Sequence, residues 1–396
     1  MATTTRPSFV VAGGGIGGLG AALGLANKGS KVTVLEQASS FGEIGAGIQI
    51  GPNAFHAMDY LGIGPAARKI AVYIDRLVMM DATTGDQVAQ IPVDEPFRRR
   101  FRNPYAVIHR ADLHGVFLEA CRAHPNVTLL TSRRVVAYEN KAGRAVAVTE
   151  AGERVEADGL IGADGGRSKI REQLTGGDPL RLTGHVAYRA VLPIDKMPEE
   201  LRWNAATLWG GPKCHMVHYP LQGWKTFNLV AVFVGESMDA VVNVPGSRDE
   251  VLGRFGKSVD IVRRLLEVPT EWRRWSLADR EPIENWTDGR VTLLGDAAHP
   301  TLQYFAQGAC MAMEDAVNLA DKVGRFGDDL ASAFASYQKE RIVRAYRVVL
   351  SSRMLGMMFH AKGVERLIRN SVLGARTPEE FYNGLEWLYG GNGLTG

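Results

Sequence analysis

The chain has 396 residues, 45% of them hydrophobic and 22% charged, enough to bury a large core in two or three domains and too apolar for a disordered protein. A net charge of +3, with dispersed basic residues apart from "RRRFR" at Arg98 to Arg102, argues against a nucleic-acid partner. The three cysteines, Cys121, Cys214 and Cys310, are far apart and odd in number, which excludes a disulfide framework or a zinc spacing and fits a reducing cytoplasm.

The first stretch, "FVVAGGGIGGLGAALGLANKGSKVTVLEQ" from Phe9 to Gln37, is uncharged up to its first lysine and could be scanned as a signal peptide. Its glycines argue otherwise: five of the six residues from Gly13 to Gly18 are glycine, each costing a continuous helix about 1 kcal/mol relative to alanine. The pattern predicts a strand from Phe9 to Ala12, a glycine turn, a helix from Ile16 to about Asn27 and a second strand ending at Glu36. In Gly13-x-Gly15-x-x-Gly18 the glycines permit a tight turn, close backbone approach to a pyrophosphate and tight helix-on-strand packing, while unpaired N–H groups at the helix start face the phosphate. Glu36 lies where a carboxylate accepts from an adenosine ribose hydroxyl, and it disfavours a 2′-phosphate. The motif therefore predicts a dinucleotide, with NAD and FAD both open. No other apolar run is long enough to span a bilayer.

Further along, "RLVMMDATTGDQVAQIPV" from Arg76 alternates around a Thr-Gly-Asp turn and predicts a hairpin. The "RRRFR" run reads as a solvated loop or an attractor of a phosphate-bearing ligand. Tyr105 precedes a strand that leads to Arg110 in "VIHRADLHGVF". "DGLIGADGGRSKIR" ends an apolar strand at Asp164-Gly165. From His185 to Val234 the chain reads as a sheet, in which "HMVHY" puts His215, Val217 and Tyr219 on one face and Met216 and His218 on the other. "SRDEVLGRFGKSVDIVRRLLEV" opens with a Ser247-x-x-Glu250 capping box and predicts one amphipathic helix. "RVTLLGDAAHPTLQYFAQGACMAMEDA" supplies another buried strand, the Gly295-Asp296 turn, Pro300 and a glycine-bearing helix start at Gly308-Ala309. The remainder, "LASAFASYQKERIVRAYRVVLSSRMLGMMFHAKGVERLIRN", reads as helical throughout, with Met354, Met357, Met358 and Phe359 as core or a subunit interface. Three strand-to-turn acidic sites, spread over almost 300 residues, call for one long ligand threading between them. His109, His218 and His299 read as structural, since no metal-like triad emerges.

The glycine fingerprint, the Asp164-Gly165 motif and the Gly295-Asp296 motif, in that order, resemble the single-component flavin-dependent aromatic hydroxylases, the group of para-hydroxybenzoate and salicylate hydroxylases. The resemblance runs from Phe9 to about Ala320. It implies tightly bound FAD, with Asp296 holding the ribityl hydroxyls, Asp164-Gly165 serving the pyrophosphate and the pyridine nucleotide, Arg110 contacting the flavin chain, and Pro300, Gly308 and Ala309 beside the isoalloxazine. The helix start there would favour negative charge on the reduced ring. Most members read Gly-Gln-Gly where this chain has Ala306-Gln307-Gly308. With no second glycine fingerprint, NADH is implied to be a transient co-substrate, alongside O2.

The fold class that follows is α/β, a Rossmann-like FAD-binding domain with an inserted mixed β-sheet substrate domain and C-terminal helices. The FAD-binding domain is expected to be discontinuous, over 1–75, 106–177 and 283–321, with the substrate-binding domain at 76–105 and 178–282 and the helical region at 322–396. His215, Tyr219 and "PTLQYFAQG" resemble the members acting on 3-hydroxybenzoate, which implies hydroxylation para to the phenol to give gentisate (2,5-dihydroxybenzoate). His215 is the natural base for the phenol, with an ordinary pKa near roughly 6.5; Tyr219, Gln303 and Tyr105 would complete the pocket. A salicylate 1-hydroxylase or a 6-hydroxynicotinate 3-monooxygenase type is the alternative, and an NAD-dependent dehydrogenase or a non-catalytic FAD-binding regulator are the readings from other classes. A small aromatic acid substrate, a homodimer, no membrane span and a cytoplasmic location complete the expectation.

Overall fold

The computed structural model describes residues 6–42, 45–141, 143–235, 239–391 and 394, so the outer ends of the first and last expected segments lie outside the described residues. Strand Phe9–Ala12 and helix Ile16–Asn27 form where the glycine pattern places them, followed by strand Val32–Leu35. Phe9–Ala12 is central in a six-stranded sheet ordered Thr287–Asp288, Val291–Leu293, Gly159–Gly162, Phe9–Ala12, Val32–Leu35, Val127–Leu130. Its pairs are parallel except at the Thr287–Asp288 edge. The central strands are buried on both faces, which is why they read as continuous apolar runs rather than alternating ones.

The helix Ile16–Asn27 packs against helix Gly308–Phe326 at close range. A Cβ on Gly17, Gly20 or Gly24 would approach the side chains of Ala312, Ala316 and Ala320 to between 3.0 and 3.3 Å, so small residues at helical spacing face small residues. That contact brings the last sequence motif beside the first.

The second sheet has eight strands, ordered Val244–Gly246, Trp272–Asp279, Arg181–Pro193, Thr226–Val234, Cys214–Leu221, Ala205–Gly211, Arg76–Asp81, Gln87–Pro92. The last two are the expected hairpin, antiparallel with a register shift at Met79/Met80. One face buries Trp209, Met216, Phe227 and Phe233. The opposite face carries Val217 and Tyr219 toward the cavity described below.

Three expectations need correction. "RRRFR" is the end of a helix, Glu95–Phe101, because Pro96 starts it and Phe97 and Phe101, one turn apart, are buried; Arg100 ties it to Glu379 and Glu386 of helix Pro378–Tyr389 at 2.8 Å each. The segment after Ser247 forms two helices, Arg248–Arg254 and Asp260–Glu267, and only half of the capping box: Ser247 Oγ accepts from Glu250 N, whereas the Glu250 carboxylate accepts from Tyr188 Oη. The C-terminal stretch breaks into Leu330–Phe359 and Gly363–Gly374, with Met354 and Met357 exposed, so that pair is not core.

A buried charge network fixes the junction of helices Gly308–Phe326 and Leu330–Phe359. Arg341 donates to Glu314 Oε2 at 2.6 Å and Asp315 Oδ1 at 2.7 Å, and all three are fully buried. Asp315 Oδ2 in turn meets His299 Nε2 at 2.5 Å and accepts from Gly295 N at 3.0 Å, so the network also pins the Gly295-Asp296 turn. Buried charges of this kind persist because removing one partner strands the others away from water.

Candidate active site

The two sheets and the C-terminal helices enclose a cavity of about 1540 Å³ lined by all three sequence motifs. At one end lies the glycine turn. Gly13 has φ +109°, and a Cβ there would sit 2.3 Å from the Ala163 carbonyl oxygen; one on Gly18 would sit 1.9 Å from the Gly13 carbonyl oxygen. Gly13 and Gly15 line the cavity, while Gly18 lies behind them and closes the helix onto the turn. Gly15 at the N-cap has no side chain to satisfy the first helical N–H groups, which are left for an anion. Glu36 is held beside them, accepting from Gly14 N at 2.7 Å and Ala38 N at 2.8 Å.

Along the middle of the cavity stand Arg110, Asp164 and Asp296. Arg110 starts helix Arg110–Ala123, and its N–H donates to Ala46 O at 2.9 Å. The Asp164 carboxylate accepts from Ser168 Oγ at 2.5 Å, Lys169 N at 2.8 Å and Ile170 N at 3.3 Å, so it organises the start of helix Lys169–Thr175 as well as facing the cavity. Burial raises its pKa against those hydrogen bonds. Asp296 is exposed to the cavity on a turn whose neighbours are buried. Pro300 is buried beside Gly166, close to the Asp164-Gly165 turn.

Gly308 and Ala309 line the cavity, at the start of helix Gly308–Phe326. The N-cap Gln307 is turned aside, its side chain bonded to Asn53 and Tyr389, so this helix start also presents open N–H groups. Ala306 adopts φ +52°, a left-handed conformation that costs a non-glycine residue about 1 kcal/mol.

At the far end the sheet face brings His215 and Tyr219 to the cavity, with Gln303 and Tyr105 on its other walls. His215 is 2% exposed, and its Nδ1 lies 2.7 Å from His360 Nε2, which leaves Nε2 for a ligand. Burial, reinforced by His360 and His185, holds its pKa well below the usual imidazole value, so it is neutral. Tyr219 packs over Gly47, where a Cβ would come within 2.4 Å of the ring, and burial raises its pKa. Tyr105 donates to Gln49 Oε1 at 2.7 Å, so its hydroxyl already has a protein partner.

Sequence reasoning missed Arg189, His185, Tyr304 and His360. Arg189 Nη2 donates to Gln303 Oε1 at 2.7 Å, its guanidinium lies 4.9 Å from the Trp275 ring centroid, and its Nε is buried without a partner. Burial and the nearby Arg110 bring its pKa down to about 10, still protonated at neutral pH, and no acidic side chain is among the groups acting on it. The available signal was an arginine inside the apolar strand "VAYRAVL". His360 had no signal, being 145 residues from its partner.

The FAD binding domain model matches residues 7–352. The chain belongs to this FAD-binding family. It is a flavin-dependent monooxygenase of the aromatic hydroxylase type. Among curated relatives it is 52% identical over 383 residues to 3-hydroxybenzoate 6-hydroxylase of Polaromonas naphthalenivorans (strain CJ2), covering 97% of this chain and 96% of that one. It is 50% identical to the enzyme of the same name from Klebsiella oxytoca, with 96% of each chain covered. Among solved structures, Klebsiella pneumoniae HpxO complexed with FAD and uric acid superimposes with a TM-score of 0.85 at 27% identity, covering 97% of both chains. A salicylate hydroxylase substrate complex gives 0.81 at 26% identity, with 98% of this chain and 99% of that one covered. The residues of this FAD-binding chain fit the cofactor: an uncapped helix start and Glu36 at one end, an exposed acid at Asp296 in the middle, and a second uncapped helix start at Gly308 sit along one continuous cavity.

Proposed function

We propose that the protein hydroxylates 3-hydroxybenzoate para to its hydroxyl, consuming NADH, a proton and O2 and releasing 2,5-dihydroxybenzoate, NAD⁺ and water. The observation that carries the reading is the pairing, in one cavity, of a neutral buried imidazole at His215 with an unneutralised cation at Arg189. A phenol and a carboxylate on one ring match that pair, and relatives of the same name share about half the sequence.

When bound, FAD supplies the redox chemistry, taking up hydride from NADH and activating O2 for electrophilic transfer to carbon. The chain's own task is to make that carbon electron-rich. His215 Nε2 accepts the phenolic proton as the phenolate forms, which activates the ortho and para positions. Arg189, held by Gln303, takes the carboxylate in a charge-assisted hydrogen bond and fixes which of those positions faces the flavin. Tyr219 closes the pocket from the sheet side, and the apolar wall of Leu77, Leu208, Val217 and Val230 excludes water. A homodimer in the cytoplasm belongs to the same reading.

NADH oxidation in the presence of 3-hydroxybenzoate, salicylate and 4-hydroxybenzoate tests this. The first is expected to stimulate most; equal or greater stimulation by salicylate favours the alternative hydroxylase. Arg189→Met is expected to raise the dissociation constant for 3-hydroxybenzoate about 10- to 100-fold, the loss of one charged hydrogen bond, while binding of phenol itself barely changes. Titration of the flavin spectrum with both compounds reads this out, and equal losses for the two would remove Arg189 from the carboxylate role.

A further inference from the structure

We propose that His360 is a proton relay for His215: the proton taken from the phenol at His215 Nε2 is matched by release of the His215 Nδ1 proton to His360 Nε2, and from His360 to solvent. The inference rests on His215 being the base. It answers a problem that reading leaves open, because a base only 2% exposed, with Nδ1 against His360, has little direct contact with water through which to discharge its proton.

The tautomers are linked by the 2.7 Å contact. For His215 Nε2 to accept, Nδ1 must carry the hydrogen and donate it to His360 Nε2, so His360 must carry its own hydrogen on Nδ1. When the phenolic O–H breaks and the new N–H forms at His215 Nε2, the His215 Nδ1–H bond breaks and a new one forms at His360 Nε2. The His360 Nδ1–H then passes to water, and no imidazolium remains on His215. Nδ1 of His360 is buried without a protein partner on a residue that is itself partly exposed, so the relay requires a water to reach this atom from the adjoining surface.

The surroundings suit a carrier rather than a trap. His360 caps the C-terminal end of the 30-residue helix Leu330–Phe359, where the aligned carbonyls favour a passing positive charge. Burial and the neighbouring His185, whose ring centroid is 4.7 Å away, keep it neutral at rest. The other groups around it are already engaged. Tyr304 Oη meets His185 Nδ1 at 2.5 Å; Arg369 is bonded to Phe359 O and to Asp81, which also pairs with Arg366; Lys213 donates its backbone N–H to His360 O at 3.0 Å.

The test is proton release, followed with a pH indicator in weak buffer when oxygen-free holoenzyme is mixed with whichever of 3-hydroxybenzoate, salicylate and 4-hydroxybenzoate perturbs the flavin spectrum. Wild type is expected to release about one proton per site as the phenolate forms. His360→Gln, which keeps a hydrogen bond to His215 and cannot relay, should bind the ligand within about threefold of wild type and release the proton at least about tenfold more slowly, with free imidazole restoring the rate. Release as fast in His360→Gln as in wild type, or none in wild type, overturns the relay. Should the variant lose its flavin, rates of wild-type release in mixtures of H2O and D2O decide instead: a curved dependence supports several protons in flight and a linear one contradicts it. If His215→Asn releases the proton normally, the base assignment falls and the relay with it; if 3-hydroxybenzoate binds and releases its proton but is not hydroxylated, only the substrate reading falls.

Discussion

Replacing His215 by asparagine is expected to lower the rate of hydroxylation by about 10²- to 10⁴-fold, the usual range for removing a positioned general base, while bound flavin and substrate affinity are largely kept. The imidazole touches neither the glycine turn nor the Asp296 turn, so the cofactor end of the cavity has no reason to change. The phenol then stays protonated and its ring too poor in electrons, and reducing equivalents from NADH escape as hydrogen peroxide. The ratio of peroxide to hydroxylated product measures this directly, and unchanged coupling would remove His215 from the base role. The wild-type pH profile carries the same information. A base works in its neutral form, and burial with two neighbouring imidazoles pulls the His215 pKa well below its ordinary value, so the neutral form extends further into acid. The acid limb of kcat/KM attributable to this group should therefore lie well to the acid side of the ordinary imidazole value near roughly 6.5.

Gly18→Ala should abolish flavin binding altogether. Gly18 does not line the cavity, yet a Cβ there would sit 1.9 Å from the Gly13 carbonyl oxygen and 3.0 Å from its carbon, and both are backbone atoms that cannot turn aside. Gly13 is itself wedged against Ala163, so the clash moves the turn whose N–H groups face the pyrophosphate. A loss of about 3 kcal/mol or more is expected, equivalent to at least about 100-fold in cofactor affinity, and the purified variant should be nearly colourless. Gly115→Ala, in helix Arg110–Ala123 with open space around its Cβ position, is the control and should remain yellow. A fully loaded Gly18→Ala protein would contradict the account of the turn.

The cofactor half of the site was legible because it is local. Three glycines, one helix start and an acid at the end of the next strand lie within 24 residues, and each is dictated by backbone sterics or by the dipole of a single helix. His215 and Tyr219 were also legible, since strand alternation assigns faces without tertiary information. Their chemistry was not fully so: Arg189 reads as an ordinary strand residue until the cavity shows it lacking an acidic partner, and His360 meets His215 only because a long helix returns across the sheet. Helix ends were misjudged where tertiary partners competed with local rules. Tyr188 draws the Glu250 carboxylate from its capping box, and buried Phe97 and Phe101 pull an arginine-rich run into a helix.

The most direct test of the central claim is product identification after turnover of 3-hydroxybenzoate with NADH and isotopically labelled dioxygen. The account predicts 2,5-dihydroxybenzoate carrying one labelled oxygen para to the original hydroxyl, formed in step with NADH consumed. Another isomer, an unlabelled product, or NADH oxidised only to hydrogen peroxide would contradict it.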